Sequence, residues 1–224
     1  MYDLFDETAV RVLLAIESGD SIRQVAQHLH TPYETVRQAV NRLEDAGYLD
    51  YDDGLFVTDD RVREAARDLL AASAGVNPPS IEEACVLPQL GDWPFAFARI
   101  DAVYVWTQGG YQVGRDPDDY PLFLAVREGD VEAWQGFFER FELPTAFERQ
   151  PRDALDGPLQ IVLDARSELR TDHVDGYPVV LRSETIDYMH EHYATFQSAL
   201  SMLDRMYDDL DLEVAYREDE RGRM

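Results

Sequence analysis

Residues 21–58, SIRQVAQHLHTPYETVRQAVNRLEDAGYLDYDDGLFVT, constrain the fold more than any other stretch, because start signals, stop signals and apolar spacing agree over a short length. Ser21 and Gln24 stand at capping-box spacing, where a hydroxyl accepts from the third-position amide and the longer side chain reaches back. A helix is expected to start there and to bury Ile22, Val25, Ala26 and Leu29, spaced i, i+3, i+4, i+7. Thr31 and Glu34 repeat the capping box, and Pro32 falls at the first helical position, where a missing amide hydrogen costs nothing. The next helix is therefore expected to begin at Pro32, with Val36, Ala39, Val40 and Leu43 inward. It should stop by Ala46, because Gly47 supplies the left-handed residue that commonly ends a helix. Residues 48–51 and 55–58 are short strand-like runs joined by Asp52, Asp53 and Gly54, a favoured hairpin-turn composition.

The outward face of the second of these helices carries Tyr33, Glu34, Thr35, Arg37, Gln38, Asn41 and Arg42, side chains able to donate to and accept from base edges and phosphates. Arg37 and Gln38 are assigned to bases, and Tyr33, Asn41 and Arg42 to backbone or bases. The helix terminus at Ser21 and Gln24 is expected to offer amides to a phosphate. Thr31 at the helix start and Gly54 in the hairpin complete the candidate set. Taken singly, each is equally an ordinary solvated position. As a pattern, the segment resembles the winged helix-turn-helix regulators of the MarR, ArsR and TrmB type, including their phrase R-L-E-x-x-G-Y-L, present as RLEDAGYL at 42–49. The resemblance implies double-stranded DNA binding, with the second helix in the major groove and the wing alongside.

Charge is the main objection. The 224 residues carry a formal charge of −25, with 27 Asp, 18 Glu and 20 basic residues that are all Arg. Such an exterior, without a single Lys, resembles haloarchaeal proteins adapted to salt-saturated cytoplasm; the alternative is an acidic protein with basic partners. Residues 1–75 hold seven arginines against fifteen acids, a net of −8, whereas DNA affinity normally comes from neutralising phosphates. In molar salt the Debye length shrinks to about 3 Å, so distant repulsion is screened and local contacts decide. Binding is expected to weaken little, or to strengthen, as salt rises.

Length and pattern suggest two domains in an α+β protein, a winged helix-turn-helix over 1–75 and a C-terminal α/β domain over 76–224. A first helix is expected over 6–18 with Val10, Leu13, Leu14 and Ile16 inward. A fourth, capped by Thr58 or Asp59, should bury Val62, Ala65, Ala66, Leu69 and Leu70. AASAGVNPPS at 71–80 reads as a linker, with the boundary near Val76. Beyond it, strands are expected at 102–107, 120–126, 159–163 and 179–181. A helix over 131–141 should be capped by Asp130 and bury Val131, Trp134, Phe138 and Phe141, and one or two helices should span 183–209. EVAYREDERGRM at the end reads as a frayed, charged tail.

Chemistry-bearing patterns are few. Cys85 stands alone, excludes an internal disulfide, and is expected to be buried. His28 and His30 flank the helix turn, His190 and His192 are two apart, and His173 is isolated, so no metal site and no cofactor are assigned. No run of eighteen apolar residues and no signal peptide is read, which points to a cytoplasmic location. WTQGGYQVGRDPDDYPLFLAV at 106–126 resembles the minimal nucleotidyltransferase pattern, in which two carboxylates at alternate strand positions hold divalent metal. Here Pro121 and Phe123 occupy those positions, Asp118 and Asp119 precede them, and Asp164 alone follows a later strand, which suggests a noncatalytic relative or a simple turn. VDGYPVVLRSETIDYM at 174–189 is similar to the VDG-x-PV segment of AbiEi-type antitoxins, which implies an autorepressor that counters a partner toxin. The leading expectation is a sequence-specific, homodimeric DNA-binding regulator whose C-terminal domain senses a ligand or binds a partner protein. The interface falls on the helix from Ser183 or on the fourth helix.

Overall fold

A computed structural model describes residues 6–114, 120–147, 159–212 and 214, and the chain is a mixed α+β protein. Helix α1 (Glu7–Ala15) is capped by Asp6, whose carboxylate accepts from the Ala9 amide at 2.8 Å. It ends short of the expected Ser18 because 17–20 turns back: Glu17 donates its amide to Asp20, and Asp20 bridges Leu55. Helix α2 (Ile22–His28) begins with the expected capping box.

Helix α3 (Tyr33–Asp45) corrects one detail of the sequence reading. Pro32 is the cap itself, with ψ 133°, rather than the first helical residue, and no side chain caps the helix. The Thr31 hydroxyl instead donates backwards to the Leu29 carbonyl at 3.0 Å. The far end follows expectation: Gly47 (φ +79°) closes a Schellman turn in which Tyr48 N donates to Leu43 O (2.9 Å) and Gly47 N to Glu44 O (2.8 Å). Strands β1 (Leu49–Tyr51) and β2 (Leu55–Val57) then form an antiparallel hairpin.

Helix α4 (Asp60–Ala74) is capped by Asp59, but its inward face is turned from the expected stripe. Ala66, Arg67 and Ala74 are buried, whereas Ala65 is exposed and Leu69 is 56% exposed. The cause is Arg67, drawn inward by Glu64 (2.6 Å) and by Asp92 of the following unit (2.8 Å).

The second unit opens with α5 (Ile81–Val86) and a 3-10 turn over Leu87–Leu90. Ser80 and Glu83 build a full capping box inside the stretch read as linker, so the connection shrinks to 75–80. A six-stranded mixed sheet follows in the order β5-β6-β4-β3-β8-β7. Its strands are β3 (Phe95–Phe97), β4 (Tyr120–Arg127), β5 (Thr145–Phe147), β6 (Leu159–Arg166), β7 (Thr171–Val174) and β8 (Tyr177–Val180). β4 runs parallel to β6 and antiparallel to β3, and residues 121–126 are buried without alternation, so both sheet faces are covered.

The expected strand at 102–107 is instead helix α6 (Arg99–Trp106). Its residues 101–103 and 105–106 are buried and only Tyr104 is exposed, which removes the polar face that marks a helical period. Helix α7 (Val131–Arg140) buries Trp134 and Phe138 with Phe141 just past its end, and Phe137 joins them. Asp130 stands at the N-cap of α7 as expected, but its side chain makes no capping bond, and 128–130 wind as a 3-10 turn that holds it in helical backbone geometry. The region from Ser183 divides at His192 into α8 (Arg182–Glu191) and α9 (Tyr193–Met206), with Met189, Phe196, Leu200 and Leu203 inward. Cys85 is half-buried rather than fully enclosed.

Apolar packing runs from one unit into the other without a break. One close junction is the β7-β8 turn against the end of α2. Asp175 (φ +50°) and Gly176 (φ +85°) make the two-residue turn, and a Cβ on Gly176 would lie 2.9 Å from the Gln27 carbonyl carbon. Alongside, the His30 ring stacks on Tyr177 with centroids 3.5 Å apart, and Gln89 donates to the Gly176 carbonyl at 3.4 Å.

Candidate nucleic-acid interface

Burial of Val36, Ala39, Val40 and Leu43 against α1 and α2 leaves one polar face of α3 in solvent. Tyr33, Glu34, Thr35, Arg37, Gln38 and Asn41 are all exposed on it. Three of them are joined. Glu34 accepts from Arg37 Nε at 2.9 Å and Nη2 at 2.6 Å, and from Gln38 Nε2 at 3.3 Å. These bonds hold the Glu34 carboxyl below its ordinary range and the Arg37 guanidinium above its own. Because Nε and Nη2 meet the carboxylate along one edge, the Nη1/Nη2 end of the guanidinium keeps a pair of donors in the geometry that matches guanine O6 and N7.

Other members of the candidate set lie elsewhere. Arg42 is half-buried and its Nη2 meets Asp6 at 2.9 Å, which ties α3 to the cap of α1. Thr31 is half-buried. Gly54 is buried, with φ +143° and a position where a Cβ would come within 2.7 Å of the Gly19 backbone, so it lets β2 close on the α1-α2 connection. At the start of α2, the Ser21 amide donates to Gln24 Oε1 (2.9 Å) and the Gln24 amide to Ser21 Oγ (3.3 Å). The two amides expected to meet a phosphate are thus already used within the cap, although both side chains remain exposed.

The hairpin expected to lie alongside the duplex as a wing is acidic. Asp50, Asp52 and Asp53 are exposed along it, and its outward aromatic groups are Tyr51 and Phe56. Within 20–58 the only cations besides His are Arg23, Arg37 and Arg42. Arg23, exposed on α2, is the residue that sequence reasoning passed over; its place one step off the apolar stripe Ile22, Val25, Ala26 was the available signal.

The nucleotidyltransferase-like region does not assemble as its pattern requires. The leading strand is helix α6, Asp118 and Asp119 lie outside the described residues, and Asp164 is paired with Arg166 at 2.7 Å, itself bound to Glu184 at 2.6 Å. Among the described residues no group of three or more His, Cys, Asp or Glu side chains could hold a metal ion. The antitoxin-like stretch 174–189 forms the β7-β8 turn, β8 and most of α8. The charged tail from 215 lies outside the described residues. Among the described residues no helix is long and apolar enough to cross a membrane. Comparison with protein-family models, with curated proteins and with solved structures found no match in any of the three.

Proposed function

We propose that this protein is a sequence-specific, double-stranded DNA-binding regulator whose N-terminal 1–75 region is a winged helix-turn-helix with α3 as its reading helix. The observation that carries the reading is the exposed face of α3, where Arg37, Gln38 and Asn41 project as donors and acceptors suited to bases from a helix packed on α1, α2 and β1. In this reading Arg37 takes guanine with its free end while Glu34 holds it in place, Gln38 and Asn41 read neighbouring bases, and Tyr33, Thr35 and Arg23 meet the sugar-phosphate backbone. The acidic hairpin stands clear of the phosphates.

The regulator acts as a homodimer joined through the outer face of α4. Val62, Ala65, Leu69 and Ala72 follow three-and-four spacing there, and Leu69 is solvent-exposed. Two symmetric half-sites then double the contacts of one small reading helix.

Genome-wide mapping of binding sites in native salt, repeated with Arg37→Ala/Gln38→Ala, tests the function. Discrete sites in the native protein that vanish in the double substitution are the expected result; an unchanged map, or none at all, refutes it.

A further inference from the structure

A cleft of about 270 Å³ opens where the two units meet. Its walls are Val10 of α1, Leu70 and Ala74 of α4, Val86 of α5, Leu90 and Phe141. Its rim holds Glu7, Arg11 and Glu83. Arg11 lies between the two carboxylates, 2.6 Å from Glu7 and 3.3 Å from Glu83, so the trio carries one net negative charge beside an apolar interior. A largely apolar concavity with a few convergent polar groups at a junction between structural units has the form of a small-ligand site.

The rim is also connected to α3. Glu7 is the first residue of α1, and the preceding Asp6 both caps that helix and binds Arg42 of α3 at 2.9 Å. Anything that draws Glu7 or Arg11 toward α5 acts on the turn that holds this contact.

We propose that the cleft between α1, α4 and α5 binds a small molecule with an apolar body and a cationic head, and that its occupancy is passed to α3 through Asp6 and Arg42. The apolar body displaces water from the Val10, Leu90 and Phe141 walls, and the ammonium group donates to Glu7 and Glu83 and completes the charge balance of the rim. The binding half stands on the cleft alone; the coupling half rests on the DNA-binding reading above.

The test uses the full chain in molar KCl with N-phenyl-1-naphthylamine as a fluorescent probe, displaced by 4-phenylbutylamine or by its anionic counterpart 4-phenylbutyrate. Saturable one-to-one probe binding is expected. The amine should displace the probe about tenfold better than the acid, as one charge-assisted hydrogen bond provides, and Glu7→Gln/Glu83→Gln should remove that preference. Ser73→Trp and Asn77→Trp fill the cleft from exposed positions at the end of α4; each should abolish probe binding without lowering the thermal midpoint. Absence of saturable binding, equal displacement by acid and amine, or unaltered binding in both tryptophan variants overturns the site. For the coupling, saturating amine should shift the midpoint for a mapped DNA site at least about threefold in the native protein and not in Ser73→Trp. Ligand binding with no such shift refutes the coupling, whereas a protein that binds the amine and no DNA refutes the function proposed above and leaves the cleft standing.

Discussion

Two residues carry structural work that their chemical types do not announce. Gly54 sits in a hairpin turn, yet its hydrogen faces the Gly19 backbone at a distance no Cβ permits and its φ of +143° is open only to glycine. Gly54→Ala should lower stability by about 1–3 kcal/mol, measurable by thermal denaturation, with the hairpin displaced from the α1-α2 connection. His30 joins the two units through its stack on Tyr177. Partial burial there pushes its pKa down to about 4 from an ordinary 6.5, outweighing the opposing pull of Asp175. The unfolded chain therefore binds the extra proton first: this contribution is complete above pH 6.5, falls away as pH drops through the window, and is spent by about pH 4. His30→Phe keeps a ring on Tyr177 and removes the titration, so the decline in thermal midpoint between pH 7 and pH 4.5 should be shallower in the variant than in the native protein; identical slopes would exclude His30 as its source.

At the level of helices and strands, the N-terminal third was legible because its signals are local and redundant. Ser21 with Gln24, the Gly47 stop and the Asp-Asp-Gly turn each report a backbone geometry from side-chain chemistry alone. What was not legible depends on distant partners. Arg67 turned α4 because Asp92, twenty-five residues on, offered a carboxylate, and α6 resembled a strand because its surroundings bury nearly all of it. β7 was hidden by Thr171, Asp172 and His173, too polar for a strand signal, although Asp175-Gly176 was a hairpin mark in plain view. The candidate site divided along the same line: exposure of Arg37 and Gln38 followed from helical spacing, whereas the engagement of Arg42 by Asp6 needed the α1-α3 packing. The turn of α4 has an observable result, since it leaves Leu69 outward. On the proposed α4 interface, Leu69→Glu should yield a monomer by light scattering and weaken DNA affinity at least tenfold while leaving the helical circular dichroism unchanged; an unaltered mass would remove α4 as the interface.

For the whole molecule, the formal charge of −25 and the sparse cations of the reading face lead to one quantitative expectation. With Arg37 assigned to guanine, Arg23 is the exposed arginine left for phosphates in 20–58, so a plot of log affinity against log salt should have a slope no steeper than about −1 per protomer. A salt titration of a mapped site from 0.2 to 2 M KCl checks this, and a slope near −6 would require cationic contacts from outside 20–58. The packing of the N-terminal unit makes a further demand on the DNA. Helices α3 and α4 both pack on α1, so the proposed reading helix and the helix proposed to pair with a second copy belong to one packed unit. A dimer so built is a calliper with locked jaws. It accepts operators of a single pitch, and inserting half a helical turn, about 5 bp, between the half-sites swings one of them to the far side of the duplex, beyond reach.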